Sequence, residues 1–322
     1  MDLKALQDVK TILVHGNCAD GIASAILLHD VLPDARIQFI QYGSPEHKNL
    51  KIEPNMLIAD FSPQKEHVAE LIAAGCLILD HHKGVKDIVA AFGDNGRFGD
   101  EETDPGVCGA VLCYQHVWFP LSTAKGADCF RGVGEMQAAR DFAILAGIRD
   151  TWQRSDYRWS EACAQAEVLN FYPENTWLDL ERPFSGYYDN HILLDRMALG
   201  KILLDKKAQK VSVAVGKSWR YTTESNTRVL VFEGTDLTSD VSDTTKDVDL
   251  VIGFNYAVEK KHMMTISTRS RTGYDCLSLC KFHGGGGHTA AEGFTCEVNS
   301  EMCPYSQIDH LVNQCELGKE AT

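Results

Sequence analysis

The sequence predicts an α/β protein: a mostly parallel-sheet N-terminal domain joined by a helix to a smaller α/β domain. Three observations carry this. Short apolar runs alternate with helical patterns through the first eighty residues. Titratable residues stand at the ends of those runs. Beyond Lys210 the pattern changes to closely spaced strands. At 322 residues the chain is too long for one ordinary core and suits two domains.

The predicted strands of the first half are 11–15, 37–42, 55–60 and 76–80. Helical patterns at 20–32 and 64–74 lie between them, the second closed by Gly75. This alternation implies βαβ units and a parallel sheet, with ligands at the carboxyl ends of the strands. Helices are predicted at 106–118 and 135–152, followed by a loop rich in aromatic and polar residues from Phe171 to Asn190. A periodic helix runs over 192–205. Strands then follow at 211–215, 227–232, 249–254 and 263–267. The domains are placed at 1–190 and 210–322, with a linker helix at 191–209.

Composition narrows the function classes. Hydrophobic residues make up 44% and charged residues 24%, a globular profile. No apolar run reaches the ~20 residues of a membrane span, and the N-terminus lacks a basic start followed by an apolar stretch. A cytoplasmic protein with no membrane partner is expected. The eleven cysteines are scattered and never spaced as CxxC, which argues against a disulfide framework or a structural zinc site. The net charge of −14 argues against a broad duplex binder, because phosphate neutralisation carries most of that affinity.

Two constellations carry chemistry. The first gathers His15, Asp20, Asp60, Asp80, His81 and His82 at strand ends, with Asp150 after the apolar helix 142–148. Oxygen and imidazole donors in one cleft suit a divalent ion such as manganese better than thiolate-bound zinc. This many carboxylates allows two ions and one bridging group, and Asp60 is the most central. Singly, each residue has a plainer reading: a hydrogen-bonded histidine, a polar turn, or, for Asp20, the cap of helix 20–32. Three consecutive titratable residues together with the other strand-end groups outweigh those readings.

The second constellation is Ser267-Thr-Arg-Ser-Arg271 followed by His283-Gly-Gly-Gly-Gly-His288. Backbone N–H groups of Gly284, Gly285, Gly286 and Gly287, with a helix predicted to start at His288, form a phosphate cradle. Arg269 ends a predicted strand and is suited to fork onto a phosphate. A flexible glycine loop explains the glycines but not the flanking histidine.

In this order, "VHGNCADGIASA", "IADFSP", "LILDHHKG" and "AGIRDTW" resemble the motifs of the DHH phosphoesterases. "ISTRSRTG" with "GGGGHTAAEGF" resembles the accompanying DHHA1 domain. The resemblance covers essentially the whole chain. It implies His15, Asp20, Asp60, His81 and Asp150 as ligands of two manganese ions, with magnesium the alternative ion and Asp60 bridging. It also implies that Asp80 orients the site, that His82 faces the substrate phosphate, and that Arg269, the 284–287 glycines and His288 hold the nucleotide. Two positions depart from the family pattern. Asp20 is the one carboxylate of the first motif, with Asn17 and Cys18 in neighbouring places. Glu292 stands where a small residue is usual.

The expected function is a manganese-dependent phosphodiesterase or exonuclease that hydrolyses short single-stranded oligonucleotides or dinucleotides to mononucleotides. The alternatives are a RecJ-like single-strand DNA exonuclease and a catalytically weak nucleotide sensor. A homodimer is compatible with this reading.

Overall fold

The computed structural model describes residues 1–124, 131–179, 183–184, 191–256, 262–284, 286–288 and 291–320. The chain divides into two compact units, Met1–Leu204 and Asp205–Thr322.

The first unit is built on five strands: β1 (Thr11–His15), β2 (Arg36–Ile40), β3 (Met56–Ala59), β4 (Leu77–Asp80) and β5 (Gly96–Phe98). They form one all-parallel sheet in the order β2-β1-β3-β4-β5. Side chains alternate between its faces. Val14, Leu57, Ala59, Leu77 and Leu79 join one core with Ile22 and Ile26. Leu13, Met56, Ile58 and Ile78 join another with Phe61, Leu71 and Val89. With both faces covered, β3 and β4 are buried throughout, which is why they read as unbroken apolar runs.

The helices of this unit are α1 (Leu3–Gln7), α2 (Ala19–Val31), α3 (Pro45–Lys48), α4 (Val68–Ala73), α5 (Lys86–Ala91), α6 (Gly109–Cys113), α7 (Phe119–Thr123), α8 (Val133–Asp150) and α9 (Trp159–Phe171). Helix α10 (His191–Lys217) then runs past the division between the units. Its Leu199 and Leu203 pack on the first unit's core, and its Val211 belongs to a core of the second.

The second unit carries a six-stranded mixed sheet in the order β10-β11-β9-β8-β7-β6. Its elements are β6 (Trp219–Thr222), β7 (Arg228–Glu233), α11 (Thr238–Thr244), β8 (Leu250–Tyr256), β9 (Met263–Arg269), α12 (Cys276–Phe282), β10 (Gly286–His288), β11 (Ala291–Glu297) and α13 (Pro304–Glu320). Strands β7 and β8 are parallel, and the other pairs antiparallel.

Several expectations are corrected. Residues 211–215 are not a strand but the last turns of α10. Val211, Ala214 and Val215 face the core at helical spacing, while Val213 is exposed. The alternating valines are therefore split between the two sides of the helix, Val211 and Val215 inward and Val213 outward. No helix starts at His288: residues 286–288 pair antiparallel with 291–293 as a hairpin. The helix predicted from 106 begins at Gly109 and passes through a π-helical turn at Tyr114–Trp118. Within the predicted loop 171–190, Glu174–Asp179 form a 3-10 turn, while 180–182 and 185–190 lie outside the described residues. Strand β5 was not anticipated, since three half-buried residues leave no periodic pattern.

The ten described cysteines are free thiols, and Cys129 lies outside the described residues. Among the described residues no helix is long and apolar enough to cross a membrane.

Candidate metal centre

The order β2-β1-β3 reverses direction between β1 and β3, where a parallel sheet opens a crevice at its carboxyl edge. His15 closes β1, Asp60 follows β3, and Asp80 closes β4 ahead of His81 and His82. Asp60 has a left-handed backbone, φ 54°, uncommon for a residue with a side chain. Its amide still donates to the Leu79 carbonyl at 2.9 Å. The chain thus leaves β3 through a strained residue, a feature that clusters at functional sites.

The carboxylate of Asp60 divides its oxygens. Oδ2 lies 3.8 Å from His15 Nδ1 and Oδ1 lies 3.2 Å from His81 Nε2. His81 Nε2 is also 3.7 Å from Asp20 Oδ2 and 3.5 Å from Asp150 Oδ2. Donor atoms fall into three overlapping groups, each within 4.8 Å: His15, Cys18 and Asp60; Asp60, His81 and His82; Asp20, His81 and Asp150. The structure therefore brings together all five sequence-predicted ligands, with Cys18 and His82 beside them.

Asp20 does not cap its own helix, whose N-cap is Cys18. Its carboxylate instead receives the backbone N–H groups of Gly109 (2.6 Å) and Ala110 (2.9 Å) and the Cys108 thiol (2.9 Å). The start of α6 thereby fixes Asp20. Glycine is required at 109, because a Cβ there would collide with the Asp60 Cβ and lie 2.9 Å from Asp20 Oδ2. Gly21 is likewise needed where α2 passes the His15 carbonyl.

Asp80 is fully buried. It accepts the amides of His81 (2.7 Å) and His82 (3.0 Å) and the Ser62 hydroxyl (2.5 Å). The His82 ring sets Nδ1 2.7 Å from Asp80 Oδ1, which orients the imidazole. Tyr42 packs edge-on against His15, with ring centres 5.2 Å apart, and accepts the Ser62 amide.

Burial pushes the carboxyl pKa of Asp20 well up, and the charges of Asp60 and Asp150 push the same way. Asp150 is raised by burial and by Asp60. Burial would raise Asp60 too, but His15 and His81 outweigh it and hold the group below the usual carboxylate range. Burial opposes charge on His81 and His82, yet Asp60 lifts His81 to about 10 and Asp80 lifts His82 to about 9. Burial and the surrounding carboxylates raise Cys18, so it stands as a thiol rather than a thiolate. Three buried polar atoms here, His15 Nδ1, Asp60 Oδ2 and His81 Nδ1, lack a hydrogen-bond partner. Converging anions, imidazoles and unsatisfied lone pairs are what a hard or borderline divalent cation would satisfy.

In the second unit, Arg269 ends β9 opposite Ala291 of β11, which in turn pairs with His288 of β10. Its guanidinium donates to Ser239 Oγ (2.9 Å), Ser267 Oγ (3.2 Å) and the Thr268 carbonyl (2.7 Å). Gly284 has φ 77° with open space where a Cβ would be. Gly286, Gly287 and His288 form edge strand β10, and Gly285 lies outside the described residues. The expected cradle of glycine amides before a helix is thus an edge strand of a sheet, part of whose hydrogen bonding is spent on β11.

Sequence reasoning missed the residues that support the centre. These are Cys108–Ala110 behind Asp20, Ser62 behind Asp80, and Glu101, whose Oε1 lies 3.5 Å from His81 Nδ1. Glu174 also accepts the Asn17 amide, across 157 positions. The small residues of "VCGA" were the one available signal, and they carry no chemistry of their own.

No family model matches the chain, and no curated protein sequence matches it. Solved structures do. A DHH domain from a member of a family of ribosomal proteins aligns with a TM-score of 0.60 at 12% identity, over 96% of this chain and 87% of that one. An exonuclease RecJ bound to manganese aligns with a TM-score of 0.51 at 15% identity, over 95% and 90%. A pGpG-specific phosphodiesterase, PggH from Vibrio cholerae, aligns with a TM-score of 0.47 at 14% identity, over 96% and 99%. The fold of this chain is that of the DHH-domain proteins.

Proposed function

We propose that this chain is a manganese-dependent phosphodiesterase that hydrolyses short single-stranded oligonucleotides or dinucleotides to mononucleotides. The observation that carries the reading is the divided carboxylate of Asp60, one oxygen toward His15 and the other toward His81, with Asp20 and Asp150 around the latter. His15 and Asp60, with Cys18 beside them, would hold one ion. Asp20, Asp60, His81 and Asp150 would hold the other. When bound, two divalent cations supply an activated water for in-line attack on phosphorus and steady the leaving oxygen.

The chain's own groups do the rest. Asp80 keeps the His82 imidazole oriented and favours its protonated form, so that Nε2–H would donate to a non-bridging phosphate oxygen. The Gly109 and Ala110 amides hold Asp20 in place and reduce its freedom to turn from the centre. The second unit, read by itself, would offer Arg269, Gly284, Gly286, Gly287 and His288 as nucleotide-binding groups, as the motif resemblance implies.

The net charge of −14 favours short substrates, because phosphates beyond the site gain little from the chain's field. The test is kcat/KM over single strands of increasing length at fixed salt and manganese. The ratio should peak at roughly two to five nucleotides with a mild salt dependence. A ratio that climbs steadily to long single-stranded DNA, with steep salt dependence, would establish the RecJ-like alternative instead. Absence of hydrolysis on every substrate, with nucleotide binding intact, would leave the sensor.

A further inference from the structure

The second half of α10 carries a stripe of lysines in an otherwise acidic chain. Lys206, Lys210, Val213 and Lys217 recur at helical spacing and therefore share one face. The three lysines are exposed, and so is Val213, at 54%. A helix face that only meets water ordinarily interleaves acids with its lysines at three or four residues' distance. Here no Asp or Glu stands three or four residues from any of the three. Lys207, on another side of the helix, does meet a carboxylate, that of Asp240, at 3.2 Å.

The stripe forms one wall of a pocket of about 670 Å³ within the second unit, in the size range of small-molecule sites. Val213, Ala214, Leu237 and Phe232 give it an apolar lining. Tyr305 adds a ring, packed edge-on against Phe254 with ring centres 5.5 Å apart and against Trp219 at 6.0 Å. Gln209 and Glu233 complete the polar lining. Three lysines against one carboxylate leave the pocket positive, although the chain as a whole carries −14.

The pocket is distinct from the groups at the end of β9. Arg269 pairs with Val251 and Val251 with Leu230, whereas Glu233 pairs with Phe254. The backbone of Glu233 thus stands two strands across and three residues along from that of Arg269, roughly 10 Å in each direction. Its lining has three chemical parts. Ammonium groups on flexible stems suit a phosphate dianion. A phenol ring offers a stacking face to any base, and the Gln209 amide can both donate to and accept from a base edge. A carboxylate such as Glu233 accepts ribose hydroxyls, as acidic residues do in dinucleotide sites. Inorganic phosphate or an apolar acid would use only part of this lining and would leave Glu233 facing an anion.

We propose that this pocket binds a free nucleoside monophosphate, with Lys206, Lys210 and Lys217 on the phosphate, Tyr305 against the base and Glu233 on the ribose. It goes beyond the phosphodiesterase reading, since it needs neither a metal ion nor cleavage. It is a second nucleotide site, lined by the second unit alone.

The experiment is calorimetric titration of the full chain, in EDTA, with adenosine 5′-monophosphate, adenosine and inorganic phosphate, together with lysine acetylation mapped by mass spectrometry. The monophosphate should bind at least about tenfold more tightly than adenosine or phosphate. It should slow acetylation of Lys206, Lys210 and Lys217 but not of Lys201, which is exposed on the same helix outside the pocket. Lys210→Glu and Lys217→Glu together should weaken the monophosphate about tenfold or more and leave adenosine unchanged. Both side chains are exposed, so this variant should melt as the wild type does. Tyr305→Leu should weaken the monophosphate and adenosine but not phosphate. No monophosphate binding by the wild type overturns the pocket, as does binding that leaves the three lysines unprotected and survives the reversed pair. Phosphate bound as tightly as the monophosphate overturns the nucleotide assignment. A 5′-phosphorylated trinucleotide that binds as tightly and protects the same lysines overturns the assignment to a free nucleotide.

Discussion

The two ends of the parallel sheet treat charge in opposite ways. At the amino end, Glu53 precedes β3 and receives the Thr11 hydroxyl (2.8 Å), Arg36 Nη2 (2.9 Å) and Lys51 Nζ (3.0 Å). One carboxylate meets two cations and a hydroxyl, close to solvent, and every group has a partner. At the carboxyl end, Asp20, Asp60 and Asp150 converge around His81, and three buried polar atoms of the centre have no hydrogen bond. The amino end is arranged for stability. The carboxyl end accepts a local cost in repulsion and unmet bonds, which only a cationic ligand would offset.

The largest expected effect comes from breaking that contrast at its centre. Asp60→Asn removes the charge shared by both donor groups, and asparagine tolerates the left-handed backbone, so the fold should survive. Turnover at saturating manganese should fall on the order of a thousandfold. In the wild type, manganese at about a hundredfold excess over Kd should add about 2.7 kcal/mol to stability, and chelation should remove it. Asp60→Asn should lose most of this gain, as melting with and without EDTA would show. Near wild-type turnover in the variant would take Asp60 out of the centre.

A smaller effect is expected at the wall behind the centre. In a helix, alanine ordinarily stabilises over glycine by about 1 kcal/mol. At Gly109 the sign should reverse, because the new Cβ meets Asp60 and Asp20. Gly109→Ala should cost about 1–3 kcal/mol in denaturant titration and weaken manganese binding. A stabilised variant with full activity would show that Asp20 and Asp60 need no such close support.

Cys18→Ser sharpens the contrast at the donor set. Cys18 is a raised thiol among carboxylates, and a hard ion gains little from sulfur. Activity with manganese should stay within roughly threefold of wild type. Loss of metal binding in this variant would require sulfur coordination.

The smallest effect belongs to the amino end. Hydrogen bonds from Thr11 and Lys51, with Arg36, hold Glu53 down to about 2, against its ordinary 4.5. A carboxyl lowered on folding stabilises the protein above its unfolded value, and that contribution is lost as pH falls through the folded value. The stability difference between wild type and Glu53→Gln should therefore be full near neutrality, shrink below about pH 4.5 and vanish near pH 2. Urea titrations across that range would read it. A difference that grows toward acid would contradict the assignment.

The legible parts of the molecule were those with local signals. The strands Thr11–His15, Met56–Ala59 and Leu77–Asp80 are buried almost throughout because both sheet faces are covered, and a titratable residue stands at or just after the end of each. The valine alternation at 211–215 misled, since Val211 and Val215, one helical turn apart, both face the core while Val213 between them is simply an exposed apolar residue. The glycine run misled in another way. Glycines permit many backbones, and only pairing with Ala291–Gly293 selects an edge strand.

The sequence by itself determined which side chains stand at the strand ends, because strand length and burial are encoded in consecutive residues. It also determined that oxygen and nitrogen donors, not thiolate pairs, gather there. Only the tertiary structure decided how they face one another. The division of Asp60 between His15 and His81 depends on a left-handed residue, and the fixing of Asp20 depends on amides 89 and 90 positions away. Such arrangements follow from which strands are neighbours and which helix start meets which carboxylate. They are set by packing across the chain, where no local periodicity records them.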